Sequence, residues 1–232
     1  MAVSAIIAAG GSGTRLGYQE PKQFLELDGK PIIAWSIEAF SQASEVGEIV
    51  VVAPLEHLDR ARHYVETYCY SKPFKVVPGG GTRQESVRNG LLASSKTMEL
   101  VAVHDAARPF ISTDEIDSIC MMAKELGAAI LAREVNDTIK EVQDGIISRT
   151  LDRSRLVAAL TPQVCRKEDL LAAYEKASKD GFVGTDEASL LEYAGINVVV
   201  QISSAINFKI TTEADLKMAR ALVSYFNSQL EN

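Results

Sequence analysis

The sequence predicts a single α/β domain over residues 1–232: a mostly parallel, twisted sheet with helices on both faces and a projecting β-hairpin arm at about residues 137–152. Three observations carry this reading. Strand-like runs rich in Val, Ile and Ala recur at residues 2–8, 48–53, 74–77, 100–104, 128–132 and 197–201. Between them stand apolar residues at helical spacing, such as Ile33, Ile37 and Phe40, then Val87 and Leu91, then Ile116, Ile119 and Ala123. Such alternation implies β-α-β units with right-handed crossovers, and strands apolar throughout suit a sheet covered on both faces. The third observation is Asp144-Gly145 between β-patterned runs at 138–142 and 146–150, a two-residue hairpin signal. A hairpin that short is marginal alone and must pack on something, either a second subunit or its own domain.

Length and composition limit the function classes. A chain of 232 residues suits one domain with a well-buried core. With 47% hydrophobic and 24% charged residues it is near the globular average, and no apolar run reaches membrane-span length, so a soluble protein is expected. The N-terminus lacks the basic region and small-residue cleavage site of a secretory signal, which predicts a cytoplasmic location. A net charge of −7 argues against nucleic-acid or membrane partners, since those require a broad basic field. Anionic ligands must therefore be met by local positive charge. Cys69, Cys120 and Cys165 are far apart and read as packing residues. His57, His63 and His104 make no metal spacing, and the first two fall in a polar, helix-like surface stretch.

Taken in order, the first strand ends in AAGGSGTRLG (residues 8–17) and leads to PKQFLEL (21–27). Glycines directly after a first parallel strand let backbone N–H groups approach phosphate oxygens. The dinucleotide fingerprint is absent because Leu16 stands where a third small residue is needed, and the P-loop spacing also fails. What remains is a loop with Arg15 and Lys22 on either side of its bend, suited to a triphosphate or, equally on spacing alone, a structural turn with solvated basic residues. Further on, HDAARP places Asp105 at the carboxyl end of a strand, where a carboxylate can reach a hydrated Mg²⁺ or substrate hydroxyls. Arg108 offers a planar fork for anions, or a bracing ion pair with Asp105. No Ser/His/Asp or Cys/His constellation is evident.

Six segments in succession resemble the motifs of the small nucleotidyltransferases, specifically the 2-C-methyl-D-erythritol 4-phosphate cytidylyltransferases of the non-mevalonate isoprenoid pathway. They are GSGTRL with PKQFL, GGGTRQESVRNGL (79–91), VHDAARPF (103–110), DRSRLVAALTPQ (152–163), GTDEASLLE (184–192) and NFKIT (207–211). The resemblance covers essentially the whole chain. It implies a Rossmann-like nucleotidyltransferase domain that transfers CMP from CTP to a polyol phosphate, with Mg²⁺, and that forms a homodimer through the hairpin arm. It implies catalytic cations at Arg15, Lys22 and Lys209, and nucleotide contacts from Ala9, Gly10, Gly11, Gly13, Gly80, Gly81, Ser86 and Asp105. Acceptor contacts would come from Asp105, Arg108, Thr138, Arg153, Thr161 and Thr185, with Asp105 also near the metal, directly or through water. Some relatives carry an acidic residue at the position of Gly81, where backbone carbonyls would here have to recognise the cytosine amine. The alternatives are a cytidylyltransferase for another polyol phosphate, such as ribitol 5-phosphate, and a non-catalytic nucleotide-binding regulator. Leu16 disfavours a dinucleotide-dependent dehydrogenase.

Overall fold

The computed structural model describes residues 2–10 and 20–230. Its strands and helices, in chain order, begin with β1 (Val3–Ala8), a short β2–β3 ribbon (Glu26–Leu27, Lys30–Pro31), α1 (Ile32–Gln42), β4 (Val46–Ala53), α2 (Leu58–Tyr68), β5 (Phe74–Pro78) and α3 (Arg83–Ala93). Then come β6 (Leu100–Asp105), α4 (Thr113–Leu126), β7 (Ala128–Glu134), β8 (Lys140–Gln143), β9 (Ile146–Thr150) and β10 (Val157–Arg166). The last elements are α5 (Lys167–Asp180), α6 (Glu187–Tyr193), β11 (Val199–Ile202) and α7 (Glu213–Leu230). Seven strands form one sheet in the order β11-β7-β10-β6-β1-β4-β5. Each of the six expected strands lies in it, and β10 is an addition that the sequence reading did not foresee. It runs antiparallel to both β6 and β7, with a register shift between Ala159 and Gln163; the remaining pairs are parallel.

The apolar pattern explains the layering. On β1, Val3, Ala5 and Ile7 face a core shared with Ile33 and Ile37 of α1, Val65 of α2 and Ile116 and Ile119 of α4. Ile6, between them, faces the opposite core with Val87 and Leu91 of α3, Leu170 of α5 and Leu190 of α6. Helices thus cover both faces. A smaller cluster of Leu27, Ile32, Ile210, Leu216 and Val223 seats α7 beside α1. Among the described residues, no helix is long and apolar enough to cross a membrane.

The hairpin forms as the Asp-Gly signal requires: Asp144 and Gly145 both take positive φ (52° and 80°), as a primed two-residue turn demands. Every residue from Lys140 to Thr150 is exposed, so β8 and β9 pair with each other and lie on no core of this chain.

Backbone bonds align the carboxyl ends of the strands. Ala9 N donates to Val52 O (2.8 Å), Ala106 N to Ala8 O (3.0 Å) and Gly79 N to Ala53 O (2.9 Å). Ile210 N donates to Ala107 O (2.8 Å), so the segment after β11 lies against the loop after β6.

Candidate active site

A cleft of about 330 Å³ opens where these loops meet, lined by Ala9, Gly10, Lys22, Gly80, Arg83, Asp105 and Lys209 among others. One wall is the start of α3. Thr82 caps the helix by accepting from Glu85 N, while the Glu85 carboxylate accepts from Thr82 N, so Glu85 is a helix-start residue. Ser86 Oγ accepts from Gly80 N (3.0 Å) and donates to Thr82 O (2.8 Å), folding the glycine turn over the helix end. At Gly80 the turn leaves no room for a side chain: a Cβ there would lie 2.4 Å from Glu85 Cβ. The Ser86 hydroxyl, expected at the base, is thus engaged in shaping the turn. Gln23 closes the neighbouring corner; it is buried and donates to Ala9 O.

Asp105, at the end of β6, is the hub. Its Oδ2 accepts from Lys209 Nζ (2.7 Å) and its Oδ1 from Arg83 Nε (3.2 Å), with Arg108 Nε 3.9 Å from Oδ2. Burial pushes the carboxyl pKa up, but Arg83 first and then Lys209 pull it well below the usual carboxylate range, so it is ionised at neutral pH. Arg83 holds a second carboxylate: Nη1 and Nη2 donate to the two oxygens of Glu187 (2.8 and 3.0 Å), whose residue is only 1% exposed. Burial lowers the arginine's affinity for its proton, yet Glu187 and Asp105 more than offset that and hold it above its ordinary value. Lys22 Nζ donates to Ile210 O (2.9 Å), which ties the first loop to the segment bearing Lys209.

Beneath the hub lies a neutral relay. His104 is fully buried, and burial lowers its pKa to about 4, so the imidazole is uncharged. Its Nε2 lies 3.1 Å from Arg108 O, a carbonyl that can only accept, so Nε2 carries the proton and Nδ1 is an acceptor. The Thr161 hydroxyl, 3.1 Å away, then donates to Nδ1 and accepts from Asp105 N (3.1 Å). Asn207 completes the frame: its Nδ2 donates to Thr161 O (2.9 Å) and its backbone carbonyl accepts from Arg108 Nη1 (2.9 Å).

The structure thus brings Lys22, Lys209, Asp105, Gly10, Gly80, Gly81 and Ser86 to one cleft, with Arg108 beside it. Gly11, Gly13 and Arg15 lie outside the described residues. Thr161 is buried beneath the cleft, and its hydroxyl bonds to Asp105 N and His104 Nδ1. Thr185 is exposed beside the start of α6, while Thr138 and Arg153 sit at the root of the hairpin; none of these three lines the cleft of this chain. The sequence reading passed over Gln23, His104, Arg83, Glu187 and Asn207 as site residues. All five sit inside the six quoted motifs, and Glu187 pairs with Arg83 across the site.

A profile of the 2-C-methyl-D-erythritol 4-phosphate cytidylyltransferases matches residues 3–225, which includes every one of these positions. The chain belongs to this family. The 2-C-methyl-D-erythritol 4-phosphate cytidylyltransferases of Solibacter usitatus and Geotalea uraniireducens are 41% and 40% identical to it. The first match covers 94% of each chain, the second 99% of this chain and 100% of the other. The crystal structure of the 4-diphosphocytidyl-2C-methyl-D-erythritol synthase of Anaerococcus prevotii superposes with a TM-score of 0.86 at 30% identity over 96% of each chain. That of the Francisella tularensis cytidylyltransferase gives 0.80 at 34% identity, covering 94% of this chain and 98% of the other. Membership in the cytidylyltransferase family agrees with a site that groups cations around one aspartate.

Proposed function

We infer that the protein transfers CMP from CTP to the phosphate of 2-C-methyl-D-erythritol 4-phosphate, giving 4-diphosphocytidyl-2-C-methyl-D-erythritol and pyrophosphate. The observation that carries this reading is the meeting of Lys209, Arg83 and Asp105 in a glycine-walled cleft that Lys22 also lines. An acceptor phosphate oxygen attacks the α-phosphorus of CTP, one P–O bond forms, and the bond from the α-phosphorus to the bridging oxygen breaks in line, releasing pyrophosphate. A phosphate monoester has its second pKa near about 6 and is already an anionic nucleophile, so no strong general base is required. Catalysis then rests on position and on charge. Lys22 and Lys209 neutralise phosphate charge as it shifts toward the leaving group; the glycine turn admits the base; Asp105 orders the cations and meets the acceptor.

Mg²⁺ belongs to the same proposal. Asp105 is the one carboxylate among the described residues lining the cleft, and no cluster of three metal-ligating side chains occurs among them. A single carboxylate beside a triphosphate suits an octahedral ion that takes its other ligands from phosphate and water. Bound there, Mg²⁺ would neutralise triphosphate and pyrophosphate charge.

The arm gives the proposal its quaternary part: a homodimer. Val142, Ile146 and Ile147 are 56%, 73% and 59% exposed, and the sheet edge beyond the arm adds Val157, Val200 and Ile202. A second copy covers this surface by two-fold symmetry and brings Thr138 and Arg153 to the cleft that they do not reach in their own chain. A cytoplasmic location completes the reading. The test is pyrophosphate release by purified protein with CTP and Mg²⁺, offered 2-C-methyl-D-erythritol 4-phosphate or ribitol 5-phosphate. At least a hundredfold preference for the first is expected; preference for the second, or no turnover with either, would sink the assignment.

A further inference from the structure

The Arg83–Glu187 pair stands behind the site without lining it on the Glu187 side, and nothing in the reaction outlined above uses it. Arg83 has two carboxylates within reach, and a guanidinium fork grips one carboxylate best with two parallel N–H donors. It gives that fork to Glu187 and only Nε–H to Asp105. The choice follows from burial. Glu187 is 1% exposed and Arg83 is the only cation paired with it among the described residues, so turning the fork toward Asp105 would strand a buried charge. Asp105, by contrast, has Lys209 and Arg108 as further cationic neighbours.

The platform that holds Glu187 is fixed from several sides. Asp186 caps α6 by accepting from Ser189 N (2.9 Å), and its second oxygen accepts from Gln163 Nε2 (2.8 Å). Gln163, on β10, also accepts from Ala188 N (2.9 Å). Gly184 N donates to Gln84 Oε1 (3.0 Å), next to Arg83 on α3. Two helix starts are thus stitched together at adjacent residues, and the guanidinium has one orientation.

We propose that Glu187 is a positioning residue that decides how the two oxygens of Asp105 are shared. By taking both Nη donors of Arg83, it leaves Oδ1 to Nε–H and keeps Oδ2 for the Lys209 ammonium. Lys209 then rests on one oxygen of a carboxylate that stays oriented when the ammonium turns to phosphate. Without the Glu187 charge, the fork swings to Asp105, takes both oxygens and removes the seat of Lys209. The role rests on the nucleotidyl-transfer reading of the cleft.

The test is Glu187→Gln, with kcat and both Michaelis constants measured per folded enzyme well below the melting temperature. A misplaced cation at the reacting centre predicts a 10- to 100-fold fall in kcat, roughly what a 1 Å displacement costs, with KM for CTP changed by less than about threefold. The double variant Arg83→Gln/Glu187→Gln, which removes the misplaced fork, should recover at least about fivefold in kcat over Glu187→Gln alone. Unchanged kcat in folded Glu187→Gln, or a double variant no better than the single, overturns the role, since a purely structural pair would move stability and leave turnover per folded molecule alone. If Glu187→Gln does not fold, Glu187→Asp carries the test: it keeps the charge but draws the fork back by one methylene, and kcat should fall at least about threefold at constant KM. Unchanged kcat there also overturns it. Wild-type protein run in parallel separates the two readings: no CMP transfer by wild type removes the reaction and this role with it, whereas normal wild-type turnover matched by the variants removes only the role.

Discussion

The cleft and the arm are two ways of placing charge in one chain. Around Asp105, ion pairs are partly buried, share partners and lean on a buried neutral relay, so the role of each side chain depends on its neighbours. On the arm, Arg149 pairs with Glu141 and Lys140 with Thr150 in full view of solvent, where such contacts contribute little. The ion pairs of the cleft are made within one chain. The strands of the arm find no core to cover, and Thr138 and Arg153 beside it do not line the cleft. Rigidity here follows burial, and the exposed element is the one that the proposed homodimer would cover.

The comparison breaks first at Lys209. Lys209→Ala and Lys22→Ala should each lower kcat by about a hundredfold or more while raising KM for CTP much less, because their charge acts on a desolvated transition state. Circular dichroism should be unchanged; wild-type turnover by either variant would remove that lysine from the chemistry.

The arm supplies the next largest effect. Arg153→Ala alone should be nearly inactive, as Lys209→Ala is, yet mixing the two under subunit exchange should restore up to about a quarter of wild-type activity, since half the pairs are heterodimers with one intact site. Ile146→Asp should shift the sedimentation coefficient to that of a monomer and abolish turnover. A fully active monomer would mean that the arm serves its own chain.

The relay gives a smaller, pH-dependent effect. The folded-state pKa of His104 is depressed from 6.5 to about 4, so the unfolded chain binds the extra proton first, and the stability of the neutral imidazole, present above pH 6.5, is lost as pH falls toward 4. Between pH 7 and 4.5 this amounts to about 2–3 kcal/mol, and His104→Gln should flatten that part of the urea-midpoint profile. Equal slopes in the two proteins would show that the relay does not titrate as described.

The smallest effect is expected at the thiols. Cys120 and Cys165 are buried, with burial pushing Cys120 up to about 12, and Cys69 is half-buried, so replacing all three should leave activity within about threefold at some loss of stability. Specific loss of turnover in a folded triple variant would contradict a site without thiol chemistry.

These contrasts also show what could be read before any coordinates. The parallel strands and the hairpin were legible because each rests on a local pattern: an apolar run, a helical period, an Asp-Gly turn. β10 was not, because Pro162 interrupts a run that would otherwise suggest a central strand; the pairing with β7 shifts register across it, between Ala159 and Gln163. The quoted motifs hold residues that the fold brings to one cleft, but motif order does not give the bonds among them. The internal bonds of Ser86 and Thr161 were not legible: the first accepts from Gly80 N and the second from Asp105 N. Arg83 and Glu187 are 104 residues apart in sequence, and no period or spacing connects them; only burial on a common platform does.

Gly90 carries a last consequence. A methyl group there would lie 2.7 Å from both Ile6 and Val52, so α3 rests directly on the sheet. Engineers seeking thermostability commonly replace a glycine inside a helix by alanine, expecting about 1 kcal/mol from propensity. In this chain that gain would come with a helix lifted from its bed, carrying Ser86 and Arg83 away from the strand ends they must meet. Position 90 is therefore a spacer, and the sequence there is chosen for thickness.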